Sequence, residues 1–87
     1  MVRATSLLAY QSLFPGLSYR QTLVFRVLRK RPMSNRELSV FLRWPINSVT
    51  PRVNELLKKG CVVPVDRKVD VVTGREVMVW GVRDGSY

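Results

Sequence analysis

Residues 34–60 read SNRELSVFLRWPINSVTPRVNELLKKG, and this stretch decides the fold. Ser34 stands three residues ahead of Glu37, the spacing at which a hydroxyl accepts from a first-turn amide while the carboxylate reaches back. A helix is therefore predicted to begin at Asn35, with Leu38, Phe41 and Leu42 as a narrow apolar stripe. Proline disfavours the helical conformation in the residue before it, so Trp44 must lie outside that helix and Arg43, Trp44 and Pro45 form a corner. Beyond the corner Val49, Val53, Leu56 and Leu57 recur at i, i+4, i+7 and i+8, which fixes the buried side of a second helix ended by Lys58, Lys59 and Gly60. Pro51 is expected in that helix's first turn, with Asn47 or Ser48 as the cap, or else Thr50 with Pro51 as first helical residue. A turn of 100° per residue leaves Asn47, Ser48, Pro51, Arg52, Glu55, Lys58 and Lys59 outside. Such a face suits contact with nucleic acid.

Upstream, Ser18 is placed to cap a helix over roughly 19–30, with Leu23, Val24, Val27 and Leu28 as its core stripe and Phe25 partly off it. Arg29, Lys30 and Arg31 crowd its C-terminus, where cations suit the helix dipole, and Pro32 ends it. Met33 is expected to enter the core. Residues 1–17 are read as a short helix or arm, capped by Thr5 or Ser6, carrying Leu7, Leu8, Tyr10 and Leu13 and stopped by Pro15 and Gly16. Downstream of Gly60 the apolar period changes from 3.6 to 2. A hairpin of about 61–72 with 75–82 is predicted, turning at Thr73 and Gly74, bulged near Asp66 to Lys68, with Pro64 at an edge position and Trp80 anchoring the strands to the helices. Residues 83–87 form a tail.

The 87 residues suffice for one domain with a modest core. No run of 18 apolar residues is present, and a soluble, cytoplasmic protein without membrane contact is expected. A single cysteine, Cys61, excludes an internal disulfide and a cysteine zinc site, and it is expected to pack as a small apolar residue. With no histidine, the commonest metal ligand and general base are missing, so neither catalysis, metal nor cofactor is expected. Asp66, Asp70 and Glu76 fall on the hairpin among basic residues rather than in a ligand pattern. The net charge of +9 is unevenly distributed. Residues 19–60 hold ten Lys and Arg against Glu37 and Glu55, whereas residues 61–87 hold four of each sign. A polyanion docked on the helical half accounts for that asymmetry, and a solvated charged surface is the alternative.

RELSVFLRWPINSVTPRVNELLKKGCV resembles the E-L-x-x-x-L … V-x-x-x-V-x-x-L-x-x-K-G-hydrophobic pattern of MarR-like winged domains. Together with VVTGREVMVW it is similar to small single-domain winged helix-turn-helix proteins of bacteriophages and prophages. The resemblance spans about residues 5–82. It implies an α+β fold with a three-helix core, an extra short N-terminal helix and a C-terminal β-hairpin wing. By the same resemblance Asn47, Ser48, Thr50, Pro51 and Arg52 occupy a recognition helix in a major groove, with Arg75 near the wing tip. Two features depart from the family: Arg43 replaces the usual corner glycine, and no room exists for the terminal helices that form a dimer and a ligand cleft. A small-molecule effector is thus not expected, and a homodimer is left open.

Within that frame Arg52 is the foremost base reader, since its fork can take guanine O6 and N7 together or grip a phosphate. Its alternative partner is Glu55. Asn47 or Asn54 could read adenine, unless Asn47 is used as a cap. Ser34, Asn35, Arg36, Ser39 and Arg43 suit phosphate contacts, or else capping and solvation; Lys58 and Lys59 serve either phosphates or the helix end. Thr73 and Arg75 complete the set at the hairpin tip. Sequence-specific binding of double-stranded DNA by a small transcriptional regulator is the expected function. The alternative is a protein-interaction module using the same basic face.

Overall fold

The computed structural model describes residues 16–82, so the expected N-terminal helix and the tail lie outside the described residues. Three helices are followed by one antiparallel hairpin: α1 (Tyr19–Lys30), α2 (Asn35–Leu42), α3 (Ile46–Lys58), β1 (Val62–Val69) and β2 (Glu76–Val82). The class is α+β, and the order agrees with the pattern of periods.

Both predicted helix starts are capping boxes. The Ser18 hydroxyl accepts from the Gln21 amide while Gln21 Oε1 accepts from the Ser18 amide, and Ser34 and Glu37 repeat the arrangement. On α1 the buried stripe is Gln21, Val24, Phe25 and Leu28, rotated from the expected one, with Leu23 and Val27 only half-buried. Phe25 is fully buried. Polar Gln21 and Thr22 caused the offset: both turn inward, Thr22 Oγ1 donating to the Ser18 carbonyl at 2.9 Å. On α2 Leu38 is buried and Leu42 packs against the core, while Phe41 stays 62% exposed on the side facing a groove beside α1.

The corner lies at Arg43, Trp44 and Pro45 as expected, but the helix that follows it departs from expectation. Arg43 is the C-cap of α2 at φ 60°, the left-handed region, where its own amide and that of Trp44 both donate to the Ser39 carbonyl. α3 then starts at Ile46 with Pro45 as its cap, so neither Asn47, Ser48 nor Thr50 caps it, and no side chain does. Pro51 is the sixth helical residue, not part of the first turn. Its ring nitrogen has no hydrogen for the Asn47 carbonyl, a local loss outweighed by burial of Val49, Val53 and Leu56. Leu57, expected inside, is 37% exposed. Gly60, at φ 79°, ends the helix and lets the Cys61 amide reach the Leu56 carbonyl at 3.0 Å.

The hairpin pairs Val62 with Val82 through to Val69 with Glu76, and one extra residue, Val65, breaks the register between Pro64 and Asp66. The bulge therefore lies just ahead of the expected place. It folds Val65 over Gly81, where an added Cβ would stand 2.9 Å from Val65 Cγ1. Met33 forms an isolated bridge with Trp80: its amide donates to the Trp80 carbonyl at 3.1 Å, and the Trp80 amide donates back at 2.8 Å. The indole Nε1 also donates to Asn35 Oδ1 at 2.9 Å, which fastens β2 to the start of α2. Val24, Phe25, Leu28, Met33, Leu38, Val49, Val53, Leu56, Cys61 and Val62 make up the shared core. α3 thus lies across α1 and α2 with one side open.

Candidate nucleic-acid interface

The open side of α3 is a strip of Asn47, Pro51, Asn54 and Lys58, spaced by four and three residues. The side chains of Asn47, Asn54 and Lys58 are exposed and form no hydrogen bond among the described residues; Pro51 is half-buried between them. Ser48 and Thr50 flank the strip and are also half-buried. Asn54 is thus more open than its sequence position indicated, because the buried side is centred on Val49, Val53 and Leu56 without Leu57.

Arg52 is not free. Its Nε donates to Glu55 Oε1 and its Nη2 to Glu55 Oε2, both at 2.8 Å, and Gln21 Nε2 from α1 donates to Glu55 Oε1 at 2.7 Å. Hydrogen bonds from Arg52, then Gln21, bring the Glu55 carboxyl down to about 2. The fork geometry expected for guanine is occupied by a carboxylate, the alternative partner foreseen for it. Only Nη1 and the second Nη2 hydrogen are left for an external acceptor. Sequence reasoning missed Gln21, although its spacing from Ser18 marks it as the second half of a capping box.

The expected phosphate contacts separate into bound and open side chains. Ser34 is buried and spent on its cap. Asn35 accepts from Trp80 and donates to Thr50 Oγ1 at 3.4 Å. Ser39 Oγ donates to the Trp44 carbonyl at 2.6 Å. Arg36 pairs with the buried Asp70 carboxylate at 3.5 Å, and Lys59 Nζ donates to the Gly16 carbonyl at 3.1 Å. Arg43 and Lys58 are exposed without a carboxylate partner. Arg20, which sequence reasoning did not select, stacks on the Trp44 ring with Cζ 5.0 Å from its centroid. A contact between positions 24 apart leaves no periodic trace.

At the hairpin tip the Asp70 amide donates to the Arg75 carbonyl at 2.8 Å, and Gly74 takes φ 73°. Thr73 Oγ1 donates to Asp70 Oδ2 at 3.0 Å and accepts from the Arg75 amide at 3.2 Å, so Thr73 shapes the turn. Burial raises the Asp70 pKa, but the Thr73 hydroxyl, the paired Arg36 guanidinium and the Val72 amide outweigh it and leave the carboxyl below its usual range. Arg75 projects from this turn, exposed and unpaired. Lys68 on β1 bonds Glu37 on α2, and that bond, with the Ser34 amide, lowers the Glu37 carboxyl. Together Lys68–Glu37 and Arg36–Asp70 hold the hairpin against α2.

The remaining carboxylates among the described residues are similarly committed: Glu76 to Arg67 at 3.5 Å, and Asp66 Oδ1 to the Arg67 amide at 2.8 Å. Among the described residues no group of three potential metal ligands comes together, and no helix is long and apolar enough to cross a membrane. Burial pushes the Cys61 thiol above its ordinary range. Compared with family models, curated proteins and solved structures, the chain matches none.

Proposed function

We propose that the protein is a winged helix-turn-helix regulator that binds double-stranded DNA sequence-selectively, with α3 in the major groove and the hairpin as its wing. The observation that carries this proposal is the α3 strip, where two amides and an ammonium group face solvent without an internal partner. Carboxamides at Asn47 and Asn54 suit the N6 and N7 atoms of adenine, and Lys58 suits a phosphate or guanine. The Met33–Trp80 bridge supports the fold assignment, since this single-residue pairing ties the connection between α1 and α2 to β2 of the wing.

Arg52 has a narrower role here than a fork on guanine. Held by Glu55, it offers its outer edge to a phosphate or a single base atom without having to be ordered on binding. Arg43 at the corner and Arg75 at the wing tip bracket α3 and contact the backbone on either side. One such helix reads only a few base pairs, so two copies on a repeated half-site provide the useful specificity.

Fluorescence anisotropy tests this with a labelled random duplex pool and with fragments flanking the protein's own gene, at several salt concentrations. One fragment is expected to bind at least about a hundredfold better than the pool. Asn54→Ala should remove most of that preference while leaving the salt-sensitive background. Absence of duplex binding at low salt overturns the proposal and directs attention to acidic proteins on the same face.

A further inference from the structure

A second surface is independent of the α3 strip. Leu23 and Val27 on α1, Met33 in the connection and Phe41 on α2 line an open apolar groove. Its rim carries Arg26, Lys30 and Arg31, and among the described residues no carboxylate lines it. No residue of α3 or of the hairpin takes part. From Leu23 to Lys30 the groove follows α1 for about 10 Å, roughly two turns of helix. Phe41 is the conspicuous element: a phenyl ring 62% exposed in a domain whose other two phenylalanines are Phe25, fully buried, and Phe14, outside the described residues.

We infer that this groove docks an acidic amphipathic helix of another protein, with apolar side chains on Phe41, Leu23 and Val27 and carboxylates against Arg26, Lys30 and Arg31. Charge selects this occupant over three others. Residues 1–15 include apolar side chains but no carboxylate, and their one charged side chain is Arg3, so they bring no negative charge to a rim where Glu37, the carboxylate near Arg31, is already bonded to Lys68. A second copy brings the same three cations against themselves. DNA compensates the rim but offers nothing to the apolar floor. A helix with Leu or Phe at i, i+4 and i+7 and Asp or Glu alongside meets both requirements at once.

Two-dimensional ¹⁵N–¹H NMR of the full chain tests the assignment. The probe is a synthetic 16-residue helix bearing Leu and Phe at those spacings and Glu on its flanks; the control replaces every Glu by Lys. The Glu peptide is expected to shift the amides of Leu23, Val27, Met33 and Phe41 saturably and to leave Asn47, Asn54 and Lys58 unmoved. The Lys peptide should bind at least about tenfold more weakly on the wild type. Arg26→Glu with Lys30→Glu should reverse that order, which a fold defect cannot do. Phe41→Ser, at an exposed position that retains the core, should weaken the Glu peptide by about tenfold or more. The inference is overturned by absence of binding, by shifts confined to α3, or by equal binding of both peptides. It is overturned equally by nuclear Overhauser contacts from residues 1–15 to the Phe41 ring in the free protein, or by self-association that Phe41→Ser abolishes.

Discussion

Arg43 occupies a backbone conformation that costs a side-chain-bearing residue about 1 kcal/mol or more and costs glycine nothing comparable. Part of the gain from Arg43→Gly is lost to the greater freedom of glycine in the unfolded chain. The variant should therefore be about 0.5 kcal/mol more stable in urea denaturation, with m unchanged. An arginine retained there at the expense of stability fits a corner phosphate contact. Accordingly the same variant should bind DNA more weakly, with a log–log salt slope shallower by about 1. Unchanged binding would remove Arg43 from the interface. Glu55 makes a second prediction at this scale. Its pKa is lowered from 4.5 to about 2 on folding, so its ionised form adds stability that is fully present above about pH 4.5 and is lost as pH falls towards 2. Glu55→Gln should lower stability at neutral pH and flatten the wild-type decline in that acid window, followed by circular dichroism. A decline as steep as the wild type's would mean that Glu37 and Asp70, whose carboxyls are also lowered, dominate acid unfolding.

At the scale of elements, α3 carries an internal contradiction. Pro51 at its sixth position forfeits a helical hydrogen bond, so Pro51→Ala should stabilise the domain by about 1–3 kcal/mol in chemical denaturation. A destabilised variant would show that the ring packs more than it disrupts. Between elements, Asn35→Ala leaves the Trp80 indole N–H without its acceptor and should cost about 1–2 kcal/mol, with the hairpin amides losing hydrogen-exchange protection before α1 does. Helix existence was legible because Ser18, Ser34, Pro32 and Gly60 are local signals acting within a few residues of themselves. The start of α3 was not, because Pro51 sends the correct local signal and tertiary burial of Val49 and Val53 overrules it. Phe25 is buried against expectation because stripe reading counts apolar residues, whereas α1 turns Gln21 and Thr22 inward beside it to form polar bonds. For the interface, outward direction on α3 could be read from its period. Engagement could be read at Arg52, whose neighbour Glu55 was the foreseen alternative, but not at Asn35 and Arg36, whose partners Trp80 and Asp70 only the folded chain brings near.

Over the whole molecule, charge is divided between a strongly basic helical part and a neutral hairpin, and that division predicts opposite responses to salt. Within the folded chain the cations outnumber the carboxylates, and the ion pairs that include Arg67–Glu76 and Lys68–Glu37 are partly exposed. Screening thus relieves more repulsion than it removes attraction. Raising NaCl from about 20 to 500 mM shortens the Debye length from roughly 20 Å to about 4 Å, and the melting temperature should rise by roughly 2–5 °C. Over the same range duplex affinity should fall. Arg43, Lys58 and Arg75 as the proposed phosphate contacts give a log–log slope of about −3 per bound chain. Lys58→Ala and Arg75→Ala should each make that slope shallower by about 1, whereas Phe41→Ser, in the α1–α2 groove, should leave it unchanged. Stability and binding that both weakened with salt would mean that internal ion pairs rather than surplus cations govern the fold. The basic surface would then be a structural network, and the assignment of α3 to DNA would lose its electrostatic support.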